Sequence, residues 1–415
     1  MPISIIFILM LSIFSGATAS IYISSNASIN GDTLYVGGDG PGNYTTIQHA
    51  VNMANDGDTV FVYNGTYVEN VLIEDKSITL VGEDKNTTIV VSAGMSEDII
   101  AIIADDVNIN GFTVKKGDDD RYTYGISFMN DLQGYRKNIS VSDCDLINND
   151  EGIYIGDFDN VSVGRCNFID NDVHGLSVIG YDKPVMNTSF FHCRFENNDV
   201  SLDGVSHLKI ENCDFYQSDL EARESDYLEF YNCSMDYRLY TMCWLHSGSN
   251  QIFDNCTFTN ITRGESGIDI TGYSEKVIIR NCVFKNEAEK GDGRGIFISH
   301  VEDVLIQNCT MKDLYVGVVM WSLIFGFTIE NCHFENNIDG FFNHDRLCTH
   351  NKFLQNNFIN NTYDVDNDVF LFINIYKNNY WDKWKGRGPH RVLRTFRLMD
   401  LFNWDWNPVS EPYDI

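Results

Sequence analysis

The sequence predicts an all-β fold, a parallel β-helix solenoid of about thirteen coils, and three observations point there. A cysteine recurs once per coil, apolar and polar residues alternate over short stretches, and a glycine opens a further short stretch in many coils. Cys144, Cys166, Cys193, Cys213, Cys233, Cys256, Cys282, Cys309 and Cys332 stand 20 to 27 residues apart. A degenerate period of that length marks a solenoid, in which each coil buries its apolar face only against its neighbours.

In chain order, Ile3 to Phe14 is an apolar run too short to span a bilayer, and Ala17-Thr18-Ala19 before Ser20 has the small-residue pattern of a signal-peptidase site. Residues 1–19 are therefore expected to be a signal peptide, and the mature chain to be secreted or held at the cell surface. Membrane contact is expected only if that segment stays uncleaved. Residues 20–77 form an N-terminal segment in which Ile47, Ala50, Val51 and Ala54 fall at i, i+3, i+4 and i+7, one face of a capping helix. Open sheet ends invite pairing with other chains, so such a cap is expected at both ends.

Residues 78–380 carry the repeats. Ile78 to Gly82 supplies an early strand, and Val107 to Val114 (VNINGFTV) places Gly111 and Phe112 where later coils have asparagine and cysteine. Leu208 to Phe215 (LKIENCDF), Val277 to Phe284 (VIIRNCVF), Val304 to Met311 (VLIQNCTM) and Phe327 to Phe334 (FTIENCHF) show the unit in full. Period-two alternation gives a short half-buried strand, the Asn-Cys step a bend, and the apolar residue after it a second strand. A third strand opens at Gly152, Gly175, Gly267, Gly295 and Gly340, and three short strands per coil describe a parallel β-helix. Asn356 and Asn378 are expected to replace the cysteine in QNNF and KNNY. Residues 381–415 hold Trp381, Trp384, Phe396, Leu401, Phe402, Trp404 and Trp406, with Pro389, Pro408 and Pro412 ruling out more regular coils. This Trp-rich C-terminal cap is expected to fold back over the last rung.

A net charge of −30, from 59 acidic against 29 basic residues, argues against nucleic acid and anionic lipid as partners, since both need a basic footprint. Asp118 to Asp120 and Asp364 to Asp368 leave calcium open, but neither has the spacing of a ligand loop. A solvated loop is the expectation at both, with no cofactor, and the chain is expected to be a monomer. The cysteine column is read as small buried hydrophobes beside the bends. In-register strands hold equivalent Cβ atoms roughly 4.8 Å apart, beyond the roughly 3.5–4.5 Å of an unstrained disulfide. Cys243 and Cys348 lie outside the column and are left as exposed or paired. A thiolate column for a soft metal such as Cu(I) has no CxxC, HxxxH or Met-rich tract behind it.

Chemistry on such a scaffold belongs on the outward face of the third strand, where residues of successive coils line up. Asp203, Glu221, Arg223, Asp269 and His300 are the candidate ligand-binding residues, drawn from a wider strip that includes Tyr154, His174, His246, Arg294 and His344. Arg223 and His300 suit a uronate lyase, which needs a base and a cation; Glu221 and Asp269 suit a glycosidase, which needs paired carboxylates. No Gly-x-Ser-x-Gly elbow, Walker loop or zinc-ligand spacing occurs.

Asn43 to Gly82 (NYTTIQHAVNMANDGDTVFVYNGTYVENVLIEDKSITLVG), Asn378 to Pro389 (NNYWDKWKGRGP) and Phe402 to Ile415 (FNWDWNPVSEPYDI) resemble the opening and closing segments of NosD-type parallel β-helix repeat proteins, in particular archaeal exported members. That resemblance implies a right-handed β-helix and association with carbohydrate. The opening segment is also similar to that of pectin methylesterases, but their Gln-Asp-Thr and Asp-Phe-Ile-Phe-Gly steps are missing, as is the Asp-Pro-His motif of mannuronan epimerases. The sequence by itself favours an exported protein that binds a polysaccharide or cell-surface glycan, or serves the cell envelope, without chemistry of its own. The alternatives are a polysaccharide lyase, epimerase or hydrolase working on the third-strand face, and NosD-like copper handling.

Overall fold

The computed structural model describes residues 31–94, 98–117, 122–129, 136–181, 183–236, 241–262, 264–287, 292–322, 324, 326–344, 351–367, 374–392 and 404–415. The expected signal peptide, Asp118 to Asp120, Cys348, Phe396, Leu401 and Phe402 lie outside them. Over the described residues the chain is an all-β parallel solenoid of about fourteen turns. Three sheets of 17, 14 and 13 strands run along it, each strand pairing with its equivalent in the coils before and after. Stacked strands begin upstream of Ile78, at Thr33–Val36, which pairs in register with Thr59–Val62 and through it with Thr79–Gly82.

The bends explain the repeat. Asn212, Asn232, Asn255, Asn281, Asn308 and Asn331, each just before a column cysteine, all have φ between 52° and 56°. Asparagine is among the few residues other than glycine that enter this left-handed region at small cost. Gly111, one coil type earlier, does the same with φ 83°. The side-chain amides run up the outside of the column: Asn255 Nδ2 donates to Asn232 Oδ1 at 2.8 Å and Asn308 Nδ2 to Asn281 Oδ1 at 3.2 Å.

Every described cysteine is buried and free. In the column each thiol donates to the carbonyl two residues back, and most also to one in the preceding coil, as Cys256 does to Asp254 and Phe230, both at 3.6 Å. Cys243 is neither exposed nor paired with another cysteine: it points inward from the third sheet, in register with Leu220 and Ile268. Labelling of the native protein with a maleimide is expected to modify at most Cys348, and reductant to leave the melting temperature unchanged; all eleven thiols should react once the chain is unfolded.

Asn356 takes the cysteine position as expected, but in the next coil it is Asn379 rather than Asn378. Phe358 pairs with Trp381, which places Asn379 under Asn356 and leaves Asn378 at the bend with φ 58°. A slip of one residue exchanges inside for outside, and Asn379 is the buried one. Inside the second sheet, rings stack face to face at the strand spacing: Phe168 on Phe195 at 4.6 Å, Phe195 on Phe215 at 4.7 Å and Phe358 on Trp381 at 4.4 Å.

At the N-terminal end, the helix Ile47–Met53 buries Ile47, Ala50 and Val51. It lies beside Val71–Glu74, the first strand of the third sheet. Gln48 bonds both backbone groups of Leu72, its Nε2 donating to the carbonyl at 3.1 Å and its Oε1 accepting from the amide at 2.6 Å. The side chain thus makes the bonds a preceding strand would make. At the other end Trp404–Asp405 pairs with Tyr376 and, antiparallel, with His390–Arg391. Asp364, Asp366 and Asn367 of the expected solvated loop belong instead to the strand Tyr363–Asn367, with Asp364 buried beside Lys383 at 3.3 Å.

Candidate functional site

On a strand, side chains alternate between faces, so the outward residues of the third sheet form columns set by register. Backbone pairing places Ser201, Glu221, Trp244, Asp269 and Phe297 in one column, and Asp203, Arg223, His246 and Thr271 in the next. A groove of about 580 Å³ opens over the strands Leu220–Arg223, Cys243–His246 and Ser266–Thr271. Its wall includes Asp219, Glu221, Trp244, His246, Glu265, Asp269 and Phe297.

Two of the five candidate residues, Glu221 and Asp269, therefore meet in the groove, two rungs apart with Trp244 between them. Arg223 does not line it. Its Nε donates to Glu221 Oε1 at 2.5 Å and its guanidinium carbon lies 5.8 Å from the centre of the Trp244 ring, so it holds those two side chains from outside. Asp203 pairs with Arg223 through the backbone one rung further from the groove. His300 is not brought to the site. The strand containing Phe297 ends at Ile298, paired with Ile270, and His300 stands beyond it at a bend with φ 57°. There its Nδ1 bonds Ser299 Oγ at 2.8 Å and its ring packs 5.4 Å from that of Tyr273.

Asp219 and Glu265 were not legible as site residues. Asp219 occupies the place of the opening glycine, as Asp199 does one coil before, because Val200 pairs with Leu220. In the coils that keep the glycine there is no room for a side chain: a Cβ on Gly295 would fall 2.4 Å from the Gly317 carbonyl oxygen. Replacement of that glycine by aspartate in the coils separated by the shortest cysteine gaps is the signal that marks the position.

The carboxyls of the groove are driven apart in acidity. Burial, then the neighbouring charge of Asp199 and a hydrogen bond with it, and then Glu221, push Asp219 up to about 8. Burial pushes Asp269 up to about 6; Arg294 opposes the rise and Glu265 adds to it. Asp269 Oδ1 is buried and has no hydrogen-bond partner, an unusual state for a carboxylate oxygen. Glu265 is held by Thr241, whose hydroxyl donates to Oε2 at 3.1 Å. Among the described residues no group of three or more His, Cys, Asp or Glu side chains is placed to hold a metal ion.

Residues 183–323 match the family described as right handed beta helix region. No curated protein matches the chain. Among solved structures it is similar to a protein of Geobacillus virus E2, at 16% identity and a TM-score of 0.51 over 67% of this chain. The match spans 57% of the viral protein, little more than half its length. It is also similar to the A-module of a mannuronan C-5 epimerase from Azotobacter vinelandii, at 12% identity and a TM-score of 0.51 over 78% of this chain and 92% of that module. An alginate lyase from Paenibacillus sp. gives 13% identity and a TM-score of 0.51 over 65% of this chain and 99% of the lyase. Identities this low show a shared fold, and function has to be argued from the site.

Proposed function

We propose that the protein is an exported glycoside hydrolase acting on a neutral glycan in the third-sheet groove. The observation that carries this reading is the pair of carboxyls whose acidities are displaced in step, Asp219 to about 8 and Asp269 to about 6, on either side of the Trp244 indole. At neutral pH Asp219 holds its proton and Asp269 is mainly ionised, the division of labour a glycosidase needs. Asp219 gives its proton to the glycosidic oxygen as the bond to the anomeric carbon breaks. Asp269 takes a proton from water as the water oxygen bonds to that carbon. Register sets Asp219 opposite Gly267, two strand steps away and two residues short of Asp269, so the two backbones are roughly 12 Å apart, which leaves room between the side chains for that water as in inverting enzymes. Trp244, 37% exposed, offers a flat face to a sugar ring.

The solved relatives include enzymes named for mannuronan and alginate, which supports a carbohydrate role. The charge of this groove argues for a different substrate. Asp219, Glu221, Glu265 and Asp269 gather on a chain of net charge −30, and Arg223 is already engaged by Glu221. A uronate polymer would meet like charge there, whereas a neutral polysaccharide would not. The apolar run Ile3 to Phe14 and the small residues Ala17 to Ala19 support export, and the NosD-like end segments support membership among exported β-helix repeat proteins. The raised pKa values of Asp219 and Asp269 favour the hydrolase over binding without chemistry.

The test is incubation of the chain from Ser20 onward with laminarin, galactomannan, xylan and alginate, recording reducing ends and unsaturated-product absorbance. Reducing ends from a neutral polymer alone are the expected result. Unsaturated product from alginate would make it a lyase, and no product from any polymer would sink the hydrolase reading. Activity should rise with pH through about 6, as Asp269 loses its proton, and fall through about 8, as Asp219 loses its own. A pH–kcat/KM profile without both limbs would exclude this pair.

A further inference from the structure

The groove does not end at its carboxylates. Its Phe297 wall continues along the solenoid axis into a second aromatic surface. Trp321 follows the strand Val316–Met320, and the pairing of Ile298 with Met320 sets it beside Ser299, two rungs from Thr271 in the same outward column. The backbone locks it there, Trp321 N donating to the Ile298 carbonyl at 2.9 Å. Its indole is 43% exposed. One face of that indole is stacked on His344, 3.8 Å between ring centres and 20° between planes, and Phe297 lies 5.9 Å away. Phe342 packs against His344 from the next position, at 6.2 Å.

We infer that Trp321, braced by His344, is a distal sugar-stacking subsite, so that the ligand of the groove is an extended polymer lying parallel to the solenoid axis rather than a short oligosaccharide. The inference rests on the glycan reading of the groove and adds its chain length and direction. Four features of the structure support it. Trp244 and Trp321 are three rungs apart, roughly 14 Å by strand spacing, a span that needs several linked units. Phe297 touches both surfaces, lining the groove and meeting Trp321, so the track is continuous. Trp321 is also rigid before any ligand arrives, because its backbone belongs to the ladder and its ring to a stack, which lowers the ordering cost of binding. The downstream surface is aromatic where the groove is acidic, which suits the faces of uncharged pyranose rings.

Affinity electrophoresis of the chain from Ser20 onward, in gels containing laminarin, galactomannan, xylan or dextran, tests this without requiring turnover. Trp321→Ala is expected to weaken retardation by the preferred polymer about tenfold, the loss a well-packed aromatic anchor shows on truncation. Trp321→Phe should recover most of it. Competition by the matching trisaccharide should be far less sensitive to the substitution than retardation by the polymer. Equal retardation of Trp321→Ala and the parent, or equal loss for polymer and trisaccharide, overturns the track. So does a parent chain that no glycan retards. Retardation that depends on Trp321 in a protein releasing no reducing ends would leave the track standing while the hydrolase reading fell; release of reducing ends without retardation would do the reverse. Melting curves of both variants check that the exposed substitution leaves the fold intact.

Discussion

Asp269→Asn and Asp219→Asn are each expected to lower turnover of the preferred neutral glycan by a factor of about 10² to 10⁴, the range a positioned general acid or base contributes. The two losses should differ in kind. Asn at 269 cannot take a proton from water, so the limb of the profile near pH 6 disappears with the activity. Asn at 219 cannot protonate the leaving oxygen, so an aryl glycoside with a good leaving group should keep far more of its rate than the polymer does. Neither change should harm folding. Both carboxyls have folded-state pKa values raised above the unfolded value near 4, so the folded chain binds more protons and stability falls as pH rises from about 4 through the folded values. Above that window the amide variants are expected to melt higher than the parent. A variant that melts lower at pH 8, or that retains full polymer turnover, would count against the assignment. Trade of stability for charge placement is what an active site does, and a purely structural carboxylate would show the opposite sign.

Asp405→Ala is expected to release the C-terminal end of the solenoid. The Asp405 side chain is fully buried and ends the inward column that runs through Cys332, Asn356 and Asn379. Its Oδ2 accepts from Asn379 N at 2.9 Å, Asn379 Nδ2 at 3.0 Å and Trp381 Nε1 at 3.1 Å, and its Oδ1 from Asn407 N at 3.0 Å. Alanine strands four donors, three of them deeply buried, at about 1–3 kcal/mol each where no water reaches. A loss of about 3–5 kcal/mol, the scale of breaking a buried charged network, is therefore expected. In a solenoid each coil depends on its neighbours, so the damage should be local. Limited proteolysis should remove the chain beyond about Trp381 while the central coils stay protected from hydrogen exchange. Uniform loss of protection along the whole chain would show that the end is not an independent unit.

The coil is written in the local sequence. The Asn-Cys step, the alternating residues before it and the glycine after it are local requirements: a left-handed bend, a half-buried strand and a place with no room for Cβ. Each can be read without knowing what lies in the next coil, and so the fold class, the buried thiols and the outward position of Glu221 and Asp269 were legible. Which outward residues meet was not. That is settled by register between coils of unequal length, where one residue moves a side chain from wall to core, as the exchange of Asn378 for Asn379 shows. His300, one residue too far along, leaves the face altogether. Asp219, standing where several other coils have a glycine, enters the groove. The pKa values of Asp219 and Asp269 come mainly from the tertiary structure: burial is the largest cause in both and Asp199, from the preceding coil, adds to Asp219, while Glu221 and Glu265 are near neighbours in the chain.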